Sequence, residues 1–353
     1  MSDKKALIAM SGGVDSSVAA YLAQQMGYSC IGGTMRMCDQ HLLGQSPTDP
    51  AVDAQKVAER LGMPFYAFDA FEAFKKQVAE PFIYSYEQGD TPNPCIRCNR
   101  YMKFGLLLDK AEELGCGKIV TGHYARVREE NGRYLLQKAM DEQKDQTYFL
   151  ACLSQKQFSK ILLPLGELTK SQVREIAEAQ GFLNARKKDS QDICFIPDGD
   201  YKAFMERYTG KQYPAGDYLD TDGNVIGQHA GAVGYTLGQR KGLGIALGQP
   251  AYVCGKDMEK NTVTVGSEEH LFSTTLIAKD CNWFPFETLN APIQVTAKAR
   301  YRHKEQPATV YPIENGRVKV VFATPQRALT TGQAVVFYDG EAVIGGGTIC
   351  EIK

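Results

Sequence analysis

One short stretch near the start of the chain constrains the fold more than any other. An apolar run, Ala6-Leu7-Ile8-Ala9-Met10, passes through Ser11-Gly12-Gly13-Val14-Asp15-Ser16-Ser17 into a segment where Val14, Val18, Leu22 and Met26 recur every four residues, up to Gly27. This reads as a buried strand, a glycine turn and a helix closed by a glycine cap. The same alternation continues. Ser29 to Met35 reads as a strand, Asp49-Pro50 as a helix start with Gly62 as its stop, and Pro64 to Phe68 as a third strand. A helix is expected from about Phe71 to Glu87 and another from Lys103 to Leu114. Residues 38 to 48 and Gly89 to Asn99 read as loops, and Lys118 to Gly122 as a fourth strand. Strands alternating with helices predict a parallel sheet covered on both faces.

Beyond Tyr124 the pattern changes. A hairpin is expected over Tyr124 to Gln137 with its turn at Asn131-Gly132. Thr169-Lys170-Ser171-Gln172 reads as a capping box opening a helix that Gly181 closes. From Tyr213 onward, glycines and short alternating segments such as Asn261 to Val265 and Arg317 to Phe322 predict β structure. With 353 residues the chain is too long for one core. We expect an α/β domain over 1–207, a small β-rich module over 208–270, and a β-barrel-like domain over 271–353.

Composition excludes some classes. The chain is 43% hydrophobic and 23% charged, with no apolar run long enough to span a membrane and no signal-peptide pattern. A cytoplasmic location is expected. A net charge of −1 means that any nucleic-acid site is a local patch. Of the ten cysteines, only Cys95 and Cys98 form a C-x-x-C. Structural disulfides are not expected in a reducing compartment, and a lone pair disfavours a four-cysteine zinc ribbon.

The Ser11–Ser16 loop suits an anion. Paired glycines allow close backbone approach, and the N–H groups and dipole of a helix start favour phosphate. Asp15 is a poor neighbour for phosphate unless a divalent cation intervenes, which predicts an Mg²⁺-bound nucleotide. The loop is neither G-x-x-x-x-G-K-[ST] nor G-x-G-x-x-G. The plain alternative is a glycine turn with Ser/Asp capping. A second constellation is Asn93-Pro94-Cys95-Ile96-Arg97-Cys98-Asn99-Arg100-Tyr101-Met102-Lys103, a loop running into a helix. A thiol at Cys98, near a helix start and beside Arg97, Arg100 and Lys103, should have a lowered pKa. These cations also suit RNA. A third is Lys187 to Pro197, with Cys194 in polar surroundings.

Ser-Gly-Gly-x-Asp-Ser resembles the PP-loop of the ATP pyrophosphatases. Taken in order with Thr121-Gly122-His123-Tyr124, Lys144-Asp145-Gln146, the Cys194 segment and Gly238 to Gly244, the whole chain resembles the MnmA family of bacterial tRNA-specific 2-thiouridylases. The resemblance implies an adenine nucleotide alpha hydrolase-like first domain. It implies adenylation of O2 of the wobble uridine, U34, followed by sulfur transfer that gives 2-thiouridine, AMP and pyrophosphate. It assigns ATP to Ala9, Met10, Ser11, Gly12, Gly13, Val14, Asp15, Ser16, Met35 and Gly122. It assigns catalysis to Cys98 as nucleophile and Cys194 as persulfide carrier, with a Cys98–Cys194 disulfide formed in turnover, and Asp15 joins them through the loop. It assigns tRNA contacts to Asn93, Pro94, Cys95, His123, Lys144, Asp145, Gln146 and Gln333, while Arg240 and Lys241 in a flexible glycine run and Arg300, Tyr301 and Arg302, cations around an aromatic, suit RNA by composition.

Read by themselves, Asp145 is also a helix N-cap, Gly238 to Gly244 a glycine-rich turn with solvated cations, and Arg300-Tyr301-Arg302-His303 an outward strand face. Many family members carry aspartate where this chain has Cys95. Three thiols, Cys95, Cys98 and Cys194, would suffice to hold a [4Fe–4S] cluster with one open iron. Cluster, persulfide and simple redox dithiol stay open on the sequence. So does the donor, whether a cysteine desulfurase, a sulfur-relay protein or free sulfide. The rival readings are a PP-loop synthetase that transfers nitrogen, and an RNA-binding protein without catalysis.

Overall fold

A computed structural model describes residues 4–37, 50–185, 187, 193–245 and 248–353. Three sequence expectations lie outside these residues: the 38–48 loop with Cys38, the N-cap at Asp49, and the polar stretch from Lys188 to Asp192.

The first part is the expected parallel sheet. Strands β1 (Lys5–Ala9), β2 (Ser29–Arg36), β3 (Phe65–Asp69) and β4 (Lys118–Val120) are joined by a fifth. The order is β3-β2-β1-β4 and then Ile161–Leu162, with every pairing parallel. The fifth strand was not foreseen, because two residues carry no periodicity. Both faces are covered. Ile8, Val14, Val18, Val57 and Val173 pack on one side. Leu7, Phe104, Leu107, Ile119 and Phe158 pack on the other. Helix α1 (Val14–Gln25) ends at Gly27, whose φ of +81° is the left-handed cap that glycine tolerates.

Two helices differ from expectation. The segment from Phe71 to Glu87 is one helical run, but Lys75–Ala79 is π-helical. The helix expected from Lys103 begins at Pro94, and Cys98–Leu106 is π-helical. The C-x-x-C therefore lies within helix rather than on a loop. Its start is set by Asn93, whose Oδ1 accepts from the Cys95 N–H at 3.2 Å. Wide turns of this kind concentrate at functional sites.

The predicted hairpin forms as β5 (Arg126–Glu130) and β6 (Arg133–Gln137), with positive φ at both Asn131 and Gly132. It lies beside Ile161–Leu162 in chain order, which we count as β7. The central module is a four-stranded sheet of β8 (Gly216–Leu219), β9 (Val225–His229), β10 (Tyr252–Asp257) and β11 (Thr262–Gly266). The last part holds β12 (Phe272–Trp283), β13 (Ile293–Lys298), β14 (Gln306–Pro312), β15 (Val318–Arg327), β16 (Ala334–Asp339) and β17 (Ala342–Ile352). A β12–β17 pairing closes these six antiparallel strands into a barrel. Closure removes the open edges that would otherwise invite unwanted pairing. Val336, Tyr338 and Val343 of the barrel share a core with Tyr148 and Leu150 of the first domain.

Candidate active site

The glycine loop leaves β1 at its carboxyl end and enters α1. Ser16 and Ser17 are both buried, and each donates its hydroxyl to the Gly13 carbonyl at 3.0 Å. The Ser11 N–H donates to Ser16 Oγ at 3.3 Å, so the serines hold the loop's own shape. Gly12 has a φ of +70°, a conformation costly for other residues. Met10 lies in the core beneath Gly32, and Met35 closes the end of β2 where two apolar clusters meet.

Gly122 sits against this loop for a steric reason. A Cβ there would lie 2.7 Å from the Asp15 carbonyl carbon and 2.8 Å from the Ser16 nitrogen. Only glycine lets the end of β4 approach the helix start so closely.

Asp15 has a cation of the protein beside it. Both of its oxygens accept from Lys170 Nζ, at 2.7 and 2.8 Å, and Tyr124 OH donates to Oδ1 at 2.8 Å. Lys170 thus places a counter-charge on Asp15 from within the protein. Lys170 was read only as part of a capping box. That box forms, with Thr169 and Gln172 bonded reciprocally, and places the Lys170 ammonium at the loop. Asn184, also unforeseen, donates from Nδ2 to the Gly12 carbonyl at 3.1 Å and to Ser17 Oγ at 2.9 Å. No sequence signal marked it.

The sulfur residues are placed differently. Cys98 is buried, in one apolar cluster with Met102, Phe195 and Ile196. The fold thus brings the neighbours of Cys194 to the Cys98 helix, although 96 positions separate the two cysteines. Burial pushes the Cys98 thiol above its ordinary pKa, against the opposing pull of Lys103. This corrects the expected lowering: desolvation outweighs the helix start and the nearby cation. Cys95 is exposed as a residue, yet desolvation of its sulfur raises its pKa too, with Lys103 again opposing. Cys194 is exposed. None of the nine described cysteines is in a disulfide. No group of three His, Cys, Asp or Glu side chains able to hold a metal ion occurs among the described residues. As placed here, Cys95, Cys98 and Cys194 do not fit an iron–sulfur cluster.

Several of the expected RNA contacts are engaged within the protein. His123 is buried, and burial together with Lys103 holds its pKa well below the usual histidine value. Lys103 Nζ lies 3.4 Å from its Nε2. An ammonium can only donate, so the ring proton belongs on Nδ1, 2.7 Å from Thr121 Oγ1. It is a neutral, satisfied histidine. Asp145 is buried as well, accepting from the Ala139 N–H and from Thr147 Oγ1. It is not the N-cap, which is Gln146. Gln146 exchanges two hydrogen bonds with the backbone of Tyr124, tying the Lys144–Gln146 and Thr121–Tyr124 segments together.

Arg300 does not face outward either. Its Nη2 donates to the Leu237 carbonyl at 3.1 Å and to Thr330 Oγ1, so it bridges the central module to the barrel. Tyr301 packs on Phe149 with ring centroids 4.4 Å apart. Gln333 Nε2 donates to the Thr91 carbonyl at 2.6 Å, while the Thr91 N–H donates to the Thr331 carbonyl. The barrel thereby grips the chain just ahead of Asn93 and Pro94. Arg240, Lys241 and Arg302 are exposed as expected, and Lys144 is half-buried.

Comparison with known proteins completes the picture. Residues 4–198 match a family profile described as the tRNA methyl transferase HUP domain. Residues 202–267 match its PRC-barrel domain, and residues 273–349 an aminomethyltransferase beta-barrel domain. A tRNA-specific 2-thiouridylase MnmA of Clostridium acetobutylicum is 47% identical over 98% of this chain and 99% of its own length. One from Acetivibrio thermocellus is 48% identical over 99% and 100%. Among solved structures, the U34-tRNA thiolase NcsA from Methanococcus maripaludis with its [4Fe-4S] cluster is 18% identical with a TM-score of 0.36, over 59% of this chain and 68% of its own.

Proposed function

The chain belongs to the tRNA-specific 2-thiouridylase family, and from that premise we propose how its residues perform ATP-dependent thiolation of tRNA. The enzyme is a tRNA sulfurtransferase. Its glycine loop binds ATP, taken here as the Mg²⁺ complex of the nucleotide, with the phosphates against the N-terminus of α1. Lys170 keeps Asp15 from repelling them. Attack of the uridine O2 on the α-phosphorus expels pyrophosphate and leaves AMP on O2. An amide-like oxygen leaves poorly and AMP leaves well, which is what the ATP is for.

The persulfide route fits the placement of the thiols best. A donor, a cysteine desulfurase or a sulfur-relay protein, loads Cys194 as Cys194–S–SH. The terminal sulfur attacks C2 and AMP departs. The Cys98 thiolate then attacks the Cys194 sulfur, breaking the S–S bond to the new C2–S group and forming a Cys98–Cys194 disulfide. The transferred sulfur is reduced at the expense of the two thiols, and an external dithiol restores them. The exposure of Cys194 suits loading from a partner. The burial of Cys98 keeps it protonated until it is needed.

We propose 1–207, 208–270 and 271–353 as the domain division and the cytoplasm as the workplace. Arg240, Lys241, Arg302 and Lys144 are the RNA-facing cations, with the target base flipped out of its stack. Conversion of ATP to AMP and pyrophosphate, stimulated by unmodified tRNA and matched by 2-thiouridine formation, tests the reading. Cys98→Ala should reduce 2-thiouridine on the order of a thousandfold or more. A Cys98→Ala enzyme that still modifies tRNA would sink it and favour nitrogen transfer.

A further inference from the structure

We propose that Asn184 is a positioning residue for the nucleotide loop, setting the direction of its backbone donors. The inference rests on the reading that this loop binds ATP. Asn184 is buried, and Nδ2 spends both hydrogens on the loop, one on the Gly12 carbonyl at 3.1 Å and one on Ser17 Oγ at 2.9 Å. The Gly12 carbonyl can only accept, so the nitrogen must face it.

The chain has no cis peptide among the described residues. In a trans peptide the carbonyl and the following N–H point in opposite directions. Drawing the Gly12 carbonyl into the protein therefore aims the Gly13 N–H outward, toward the side from which an anion approaches. Gly12 needs this help, because a glycine at φ +70° has several other conformations within easy reach. The second bond makes a relay. Asn184 holds Ser17 Oγ, and Ser17 Oγ in turn holds the Gly13 carbonyl at 3.0 Å. Two successive peptide planes are thus oriented from one amide.

The other end of that amide has been left without a partner. Asn184 Oδ1 is buried and accepts no hydrogen bond. A buried acceptor left unsatisfied calls for an explanation beyond packing. Its place here is explained by what Nδ2 does for the loop.

The test is ATP affinity, measured by calorimetry on the full chain, with thermal melting and tRNA affinity alongside. Asn184→Ala should raise the ATP Kd about tenfold, the loss of one to two hydrogen bonds that hold the loop. Asn184→Asp keeps the shape, removes both donors and adds a repelling charge, and should be weaker still. tRNA affinity should stay within about twofold, and the KM for ATP should change more than kcat. Where Asn184→Ala does not fold, Asn184→Ser, which keeps one donor, decides with an expected loss of about threefold. ATP affinity unchanged in folded variants overturns the role of Asn184 and leaves the nucleotide reading standing. A native chain that binds no ATP overturns the nucleotide reading itself, and this role with it.

Discussion

The nucleotide loop and the sulfur centre differ in how complete they are before any substrate arrives. Around the loop every main element is in position. Its serines bond its own carbonyls, Gly122 packs against it, Lys170 neutralises Asp15, and Asn184 anchors it from behind. At the two expected sulfur-bearing thiols, Cys98 is buried with a raised pKa and Cys194 is exposed, and neither is in a disulfide. ATP meets a pre-organised site, whereas the Cys98 thiol is kept protonated by burial. That division suits the chemistry. Adenylation gains from fixed geometry, and a persulfide gains from being brought to the base only when the activated carbon is present.

The contrast can be broken at its strongest point. Lys170→Ala leaves Asp15 as an uncompensated carboxylate beside bound phosphate. ATP affinity should fall roughly 10- to 100-fold, since a charge-assisted pair of this kind contributes about 1.5–3 kcal/mol. Lys170→Arg should recover most of it. Calorimetry with ATP reads both, and an alanine variant that binds normally would show that Asp15 needs no neutralising partner.

The state of the thiols is sharpened by alkylation. With its pKa raised by burial, Cys98 is protonated at neutral pH and should react about tenfold more slowly with iodoacetamide than a free cysteine. Its rate should climb only as pH passes above the ordinary thiol value of about 8.5. Mass spectrometry of the Cys98 peptide across pH gives the profile. Rapid labelling at pH 7 would mean a thiolate already poised in the free protein.

The smallest expected effect concerns Cys95. On the persulfide route Cys95→Ala should change thiolation by less than about threefold, and protein purified without oxygen should carry no stoichiometric iron. About four irons and four sulfides per chain, lost on Cys95→Ala, would instead require the three thiols to converge when a cluster is loaded.

Much of this was legible beforehand, and the misses have physical causes. The alternating strands and helices, the Asn131-Gly132 hairpin and the Thr169 capping box follow from local periodicity and turn chemistry, which act within a few residues. The two-residue β7 has no period to detect. The π-helical turn over Cys98–Leu106 has no local pattern that marks it in the sequence. His123, Asp145 and Gln333 are expected as RNA contacts from the family resemblance and Arg300 from its residue type, and in the fold each is also held by a partner from another segment: Lys103, Ala139, Thr91 and Leu237. Residue type says what a side chain can do, and only the fold says which way it points.

What the sequence determined alone is the α/β start with its nucleotide loop and the β-rich remainder. These depend on short motifs and on spacing within single elements. The tertiary structure decided the protonation of Cys98, the inward turn of His123 and Arg300, and the roles of Lys170 and Asn184. Burial and the neutralisation of charge arise between segments far apart in the chain. Lys170 stands 155 positions from Asp15 and meets it at 2.7 Å, a contact that no local pattern contains.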